Sequence, residues 1–385
     1  MKNFTFVNPT KIVFGKDVLK KLPDLLPSDA KILLTYGGGS IKENGLYRQV
    51  AELLKDFEWH EFGGIEANPH YETCLKAVEM IKEKGINFLL AAGGGSVIDG
   101  TKFIAAAACC PQGISPWNLV SGKTKVAAAL PFATILTLPA TASEMNSGAV
   151  ITRNETKEKR NFSSRLLFPR FSILDPVFTF TLPKRQIANG VVDTFVHVME
   201  QYCTYPVHGI MQDYFSEGIL KTLLEDGPKA LETPQDYDVR ASLMWAATFG
   251  LNGIIACGVP EDWSTHMIGH ELTALYGLDH GVTLAIVLPG VMKVMQDEKR
   301  TKILQMGERV YGIKEGSEQE RTDKTIAATE DFFRRMGIKT RLSEYGLGRE
   351  VIEPIVGRFA ERGWTLGENA SVTPEKIRQI LTERL

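Results

Sequence analysis

The stretch Ile86-Asn-Phe-Leu-Leu-Ala-Ala-Gly-Gly-Gly-Ser-Val-Ile-Asp-Gly-Thr-Lys102 decides the fold. A short apolar run ends in three glycines, and an Ala-rich helical segment follows through Ala108. That is a buried strand turning directly into a helix. The unit has a partner upstream, where Lys31-Ile-Leu-Leu-Thr-Tyr36 precedes Gly37-Gly-Gly39 and a polar helix. Phe132–Leu138 and Phe171–Leu174 read as further strands, and Asn3–Phe14 also has strand character. Alternating strands and helices predict a mostly parallel sheet.

The pattern changes after Leu182-Pro183. From Gln186 onward apolar residues recur at helical spacing, as in Ala241–Leu251 and Glu271–Leu288. The expected fold class is therefore α/β followed by all-α, with domains at 1–182 and 183–385. A length of 385 residues is comfortable for two domains.

Composition narrows the classes. Apolar residues make up 44% and charged residues 23%, as in ordinary globular chains. The 44 basic and 46 acidic residues leave a net charge of −2, so no nucleic-acid or anionic-membrane footprint is expected. Five cysteines without a C-x-x-C pair argue against a disulfide framework or a thiolate zinc site. No signal peptide is visible, and the apolar run Phe103–Cys110 is far shorter than a membrane helix. The expectation is a cytoplasmic protein without a membrane partner.

Both glycine turns place backbone N–H groups at the start of a helix, where a phosphate is favoured and a side chain would obstruct it. Neither is the G-x-G-x-x-G fingerprint or a Walker loop, and either one alone is equally readable as a tight turn. Asp99, in the first turn of its helix, serves either the helix dipole or a bound cofactor.

The seven histidines are more informative. Asp193 and His197 stand four apart and share a helix face, as do His266 and His270, and His280 follows a Gly277 turn. One carboxylate and several imidazoles suit a catalytic divalent metal with a position left for substrate. Each pair taken singly also reads as a buried hydrogen bond. Neither His-Glu-x-x-His nor Gly-x-Ser-x-Gly occurs, so a zinc protease or serine hydrolase is not indicated.

Taken in order, these segments resemble the iron-containing (group III) alcohol dehydrogenases, most of all their NADPH-dependent aldehyde reductase and butanol dehydrogenase branch. The markers are Gly93–Lys102, Leu138-Pro-Ala-Thr-Ala-Ser-Glu144, Asn189–His197, His266–Thr273 and Gly277-Leu-Asp-His280. The resemblance implies an N-terminal Rossmann-like nucleotide domain, a C-terminal helical metal domain and an active site in the cleft between them. It implies Asp193, His197, His266 and His280 as ligands of one iron or zinc ion. It implies His270 near the reacting carbon but not as a ligand, either in a proton-relay or substrate-positioning role or packed against and hydrogen-bonded to the ligand shell. Cofactor positions fall on Gly38, Gly39, Ser40, Gly94, Gly95, Ser96, Asp99, Thr137, Thr141, Asn146 and Lys159. Thr137-Leu-Pro-Ala-Thr-Ala departs from the family's usual Thr-Thr-Ala-Gly-Thr-Gly between the two threonines.

The implied activity is hydride transfer between NADPH and short-chain aldehydes or alcohols by a homodimer. NADPH is favoured over NADH because Gly39 stands where NAD-using relatives carry Asp, with Ser40 and Lys42 beside it. An apolar stretch comprising Ile254, Ile255, Ala256, Val259, Trp263 and Met267 predicts an uncharged substrate. Rival readings are a dehydroquinate-synthase-like lyase, which uses NAD transiently and needs basic substrate-gripping residues, and a non-catalytic nucleotide and metal sensor.

Overall fold

The computed structural model describes residues 1–385. Contacts divide the chain into two units, Val7–Leu182 with Pro234–Thr248, and Met1–Phe6 with Pro183–Thr233 and Phe249–Leu385. The chain therefore passes between units more than once, and two short segments belong to the unit opposite to their neighbours in sequence.

The first unit is built on six strands, β1 (Lys11–Phe14), β2 (Lys31–Tyr36), β3 (Glu58–Phe62), β4 (Phe88–Gly94), β5 (Phe132–Leu138) and β8 (Phe171–Leu174). They pair in parallel in the order β1-β8-β5-β4-β2-β3. The central strands β2 and β4 are apolar almost throughout because both faces are covered. Leu33, Leu89 and Ala91 join one core with the helices Tyr71–Lys84 and Gly95–Ala108. Ile32, Leu34, Leu90 and Ala92 join the other, with Leu22, Leu46 and Val50. Neighbouring residues thus go to opposite faces, as the two-residue period of a strand requires.

Two features differ from the sequence expectation. Only Lys11–Phe14 of the Asn3–Phe14 stretch is strand, since Met1–Phe6 belongs to the helical unit. An antiparallel hairpin, β6 (Gly148–Arg153) and β7 (Glu158–Ser163), was not foreseen. β7 is mostly polar and half-exposed, and the apolar run of β6 is only the three residues Ala149–Ile151, too short to announce a strand.

The second unit is helical. Its helices include Lys184–Tyr202, Ile210–Glu232, Ser264–Tyr276, His280–Val294 and Glu318–Arg335. Gly277, in the left-handed region at φ 70°, ends the Ser264–Tyr276 helix, and the next helix begins at His280, as the turn read at Gly277 requires. No helix of the chain is long and apolar enough to cross a membrane.

Candidate active site

In the sheet unit the carboxyl ends of β2, β4 and β5 lie side by side, with Tyr36 opposite Ala92 and Gly94 opposite Leu138. The chain leaves β2 toward β3 on one side and then β4 toward β5 on the other, so the topology switches between β2 and β4. Doubly wound sheets bind ligands outside the carboxyl ends at such a point. Both glycine turns stand there.

The turns are unlike one another. Gly39 has φ +108°, a conformation that side chains rarely adopt, and a Cβ at Gly38 or Gly39 would meet nothing within 4 Å. That turn opens onto space. Around Gly93–Gly95 the packing is close: a Cβ at Gly94 would lie 2.9 Å from Leu138 Cβ, and one at Gly95 would lie 2.4 Å from Thr141 Oγ1. The Gly95–Ala108 helix has no side-chain cap at its N-terminus, which leaves its first N–H groups to another acceptor. These features fit the phosphates of a dinucleotide.

Other candidate residues cluster around this turn. Ser96 Oγ accepts the Asn68 N–H at 3.3 Å, and Lys159 Nζ donates to Asn68 Oδ1 at 2.8 Å. Asp99 accepts from Ser143 Oγ at 2.6 Å and from the Val150 N–H at 2.9 Å. Burial pushes its carboxyl upward, against the opposing pull of Lys102. Asp99 therefore ties the β5–β6 connection to its helix, which neither sequence reading of this residue anticipated. Thr137 is buried near the end of β5, Thr141 Oγ1 accepts the Ser143 N–H at 3.2 Å, and Asn146 Oδ1 accepts from Lys102 Nζ at 2.8 Å. The sequence reading passed over Asn68 and the fully buried Lys102. Asn68 has a positive φ of 60°, which no local sequence pattern reveals.

Lys42 lies 3.2 Å from Glu61 and over the rings of Tyr36 and Tyr47, at 5.0 and 4.6 Å. Its hydrogen bonds to Tyr36 and Glu61 raise its pKa to about 12. The Lys42 ammonium is thus held by a carboxylate.

In the helical unit four predicted residues converge. Asp193 and His197 lie on the Lys184–Tyr202 helix, His266 on Ser264–Tyr276, and His280 begins His280–Val294. Asp193 Oδ1 is 3.6 Å from Nε2 of each of His197, His266 and His280. Close helix approach makes this possible: a Cβ at Gly281 would lie 2.8 Å from Asn189 Cα. Asn189 Nδ2 and Arg185 Nε fix the corner before His280 by bonding Asp279 at 3.0 and 2.7 Å.

The geometry suits a metal ion. Ligand bonds of about 2.0–2.2 Å put the donors of a four-coordinate ion about 3.3–3.6 Å apart. The ligand atoms of Asp193, His266 and His280 all lie within 4.8 Å of one another. His197 stands beside this closest set, stacked on the His266 ring at 4.5 Å. His266 Nε2 is buried and makes no hydrogen bond. Burial lowers the His266 pKa, but Glu200 and Asp193 outweigh it and raise the pKa to about 9. A cation can take the place of that proton.

His270 is buried one turn after His266, its ring 5.4 Å from that of His280. Of the apolar stretch, Trp263 packs edge-on against His266 and His197, at 5.4 and 6.2 Å. Gly258, within the same stretch, faces Lys2 and Phe4 instead. Sequence reading also missed Glu200, which bonds to His266. The signal was present, because Asp193, His197 and Glu200 are spaced i, i+4, i+7 on one helix face.

Known proteins resemble this chain over its whole length. The iron-containing alcohol dehydrogenase family matches residues 9–176, and the Fe-containing alcohol dehydrogenase C-terminal family matches 187–385. The NADPH-dependent aldehyde reductase YqhD of Escherichia coli K12 is 54% identical over 99% of both chains. The crystal structure of E. coli K-12 YqhD superposes with a TM-score of 0.98 at 53% identity, covering 100% of this chain and 99% of that one. A probable NADH-dependent butanol dehydrogenase 1 of Bacillus subtilis strain 168 is 42% identical over 100% of both chains. With both halves matched and more than half the residues shared with a full-length relative, the chain belongs to the iron-containing alcohol dehydrogenase family.

Proposed function

We propose that the protein is a metal-dependent oxidoreductase that transfers hydride between NADPH and short-chain aldehydes or alcohols. The observation that carries the reading is the cluster in which one carboxylate oxygen stands 3.6 Å from three imidazole nitrogens. Family membership selects this activity over the lyase and sensor readings.

Asp193, His197, His266 and His280 would hold one divalent ion, iron or zinc. The chemistry the bound groups supply is Lewis-acid polarisation of a carbonyl oxygen and hydride donation from reduced nicotinamide. The chain's own residues bind and orient. Backbone N–H groups of Gly94, Gly95 and Ser96 would hold the diphosphate, and Gly38, Gly39 and Ser40 would hold the adenosine ribose and its phosphate. Asp99, Thr137, Thr141, Asn146 and Lys159 shape the rest of the nucleotide site. Trp263 packs edge-on against the His197 and His266 rings, and His270, its ring 5.4 Å from that of His280, takes the proton-relay or substrate-positioning role.

A homodimer accords with the open edge of β1, where Phe14 is 37% exposed and packs on Trp245, itself 41% exposed. A cytoplasmic location accords with five unpaired cysteines. The test is NADPH oxidation with the iron- or zinc-loaded protein across straight-chain aldehydes. Each methylene buried is worth up to ~0.8 kcal/mol, so kcat/KM should rise by up to about fourfold per carbon from acetaldehyde to butanal. A preference for phosphorylated or acidic substrates, or no turnover with any aldehyde, overturns the proposal.

A further inference from the structure

Glu200 lies two turns beyond Asp193 on the same helix, and its side chain is almost wholly buried. A carboxylate placed there needs partners. Glu200 Oε1 accepts the backbone N–H of Thr265 at 2.6 Å and that of His266 at 3.3 Å. Its Oε2 bonds His266 Nδ1, and its own carbonyl accepts the Asp262 N–H at 2.8 Å. The Ser264–Tyr276 helix has Trp263 at its N-cap position with no side-chain cap bond, so Glu200 supplies the missing acceptor from another helix.

This arrangement does two things through one side chain. It pins the first turn of the His266 helix onto the helix carrying Asp193 and His197. It also sets the histidine itself: a carboxylate at Nδ1 accepts a hydrogen bond from an N–H there, so the lone pair is left on Nε2. That is the nitrogen 3.6 Å from Asp193 Oδ1. We infer that Glu200 is the positioning residue that fixes His266 as an Nε2 ligand and sets the affinity of the metal site. The inference rests on the proposed metal site and adds to it a residue outside the ligand set. Partners of this kind hold ring orientation and raise ligand basicity.

Glu200→Gln separates this role from a merely structural one. The amide keeps the volume and one acceptor for the Thr265 N–H, but then it turns its NH2 toward His266 Nδ1. Nδ1 must become the acceptor, and the proton moves to Nε2, where it blocks the metal. The opposite amide orientation faces a donor toward the backbone N–H groups. Zn2+ affinity of the full-length protein, measured by competition with a chromophoric chelator, should fall 10–100-fold in Glu200→Gln. NADPH binding and the far-UV circular dichroism should stay unchanged. A folded Glu200→Gln protein whose Zn2+ affinity stays within twofold of wild type overturns the inference. A wild type that takes up no Zn2+ overturns the metal site itself. If the variant does not fold, 15N NMR of the zinc-loaded wild type decides. A slowly exchanging, downfield His266 Nδ1 proton with the metal on Nε2 is expected. Ligation through Nδ1, or an Nδ1 proton exchanging as fast as that of an exposed histidine, overturns it.

Discussion

The glycine edge of the sheet unit and the histidine cluster of the helical unit are built in opposite ways. The first is made of backbone, and its usefulness depends on side chains being absent. At Gly95 a single methyl would come 2.4 Å from Thr141 Oγ1. The second is made of side chains brought from three helices, with Asp193 Oδ1 at their centre. Damage at the first site consists of adding atoms, and damage at the second of removing them. Because the two lie in different units, each kind of damage should leave the other unit's ligand in place.

The largest expected effect is at the cluster. His266→Ala or Asp193→Asn should weaken metal binding by more than ~100-fold and abolish turnover. NADPH affinity, followed by fluorescence titration, should change less than twofold. Full metal content by elemental analysis in either variant would remove that residue from the ligand set. Simultaneous loss of NADPH binding would break the independence of the two sites.

The mirror experiment is smaller. Gly95→Ala forces Thr141 or the helix start to move, at a cost of ~1–3 kcal/mol in stability. Displacing an N–H group that would face the phosphate removes one charge-assisted hydrogen bond of ~1.5 kcal/mol, so NADPH affinity should fall by about tenfold. Metal content should be unchanged. An alanine variant with wild-type NADPH affinity would show that this turn serves packing alone.

The smallest effect concerns the choice of cofactor. Wild type should use NADPH in preference to NADH. Gly39→Asp is a blunt probe, because a side chain at φ +108° is strained whatever charge it carries. Lys42→Gln is cleaner. The lysine is exposed and already shared with Glu61, so its loss should lower the NADPH:NADH ratio of kcat/KM by only about two- to fivefold. Equal use of both cofactors by wild type would break the assignment of this corner.

The contrast between the two sites also explains what was legible. The strand–glycine–helix units could be read directly because β2 and β4 are apolar on both faces and end in glycine triplets. The β6–β7 hairpin could not, since β7 is mostly polar and half-exposed and β6 has only a three-residue apolar run. The roles of Asp99 and Asn68 were equally hidden, as each depends on partners far away in the chain. Asp99 meets Ser143 and Val150, and Asn68 meets Ser96 and Lys159.

By itself the sequence determined the local matters: the apolar strands that end in glycine turns, the helical character of the second half, and which carboxylate and imidazoles share a helix face. Periodicity and spacing within a few turns carry that information. Only the tertiary structure decided the rest. Sheet order put both glycine turns at the switch between β2 and β4. Helix packing brought His266 and His280 to the same Asp193 oxygen as His197, and turned Glu200 toward His266. The physical reason is separation along the chain. Contacts between residues 66 or 87 positions apart depend on how whole elements pack, and no local pattern encodes them.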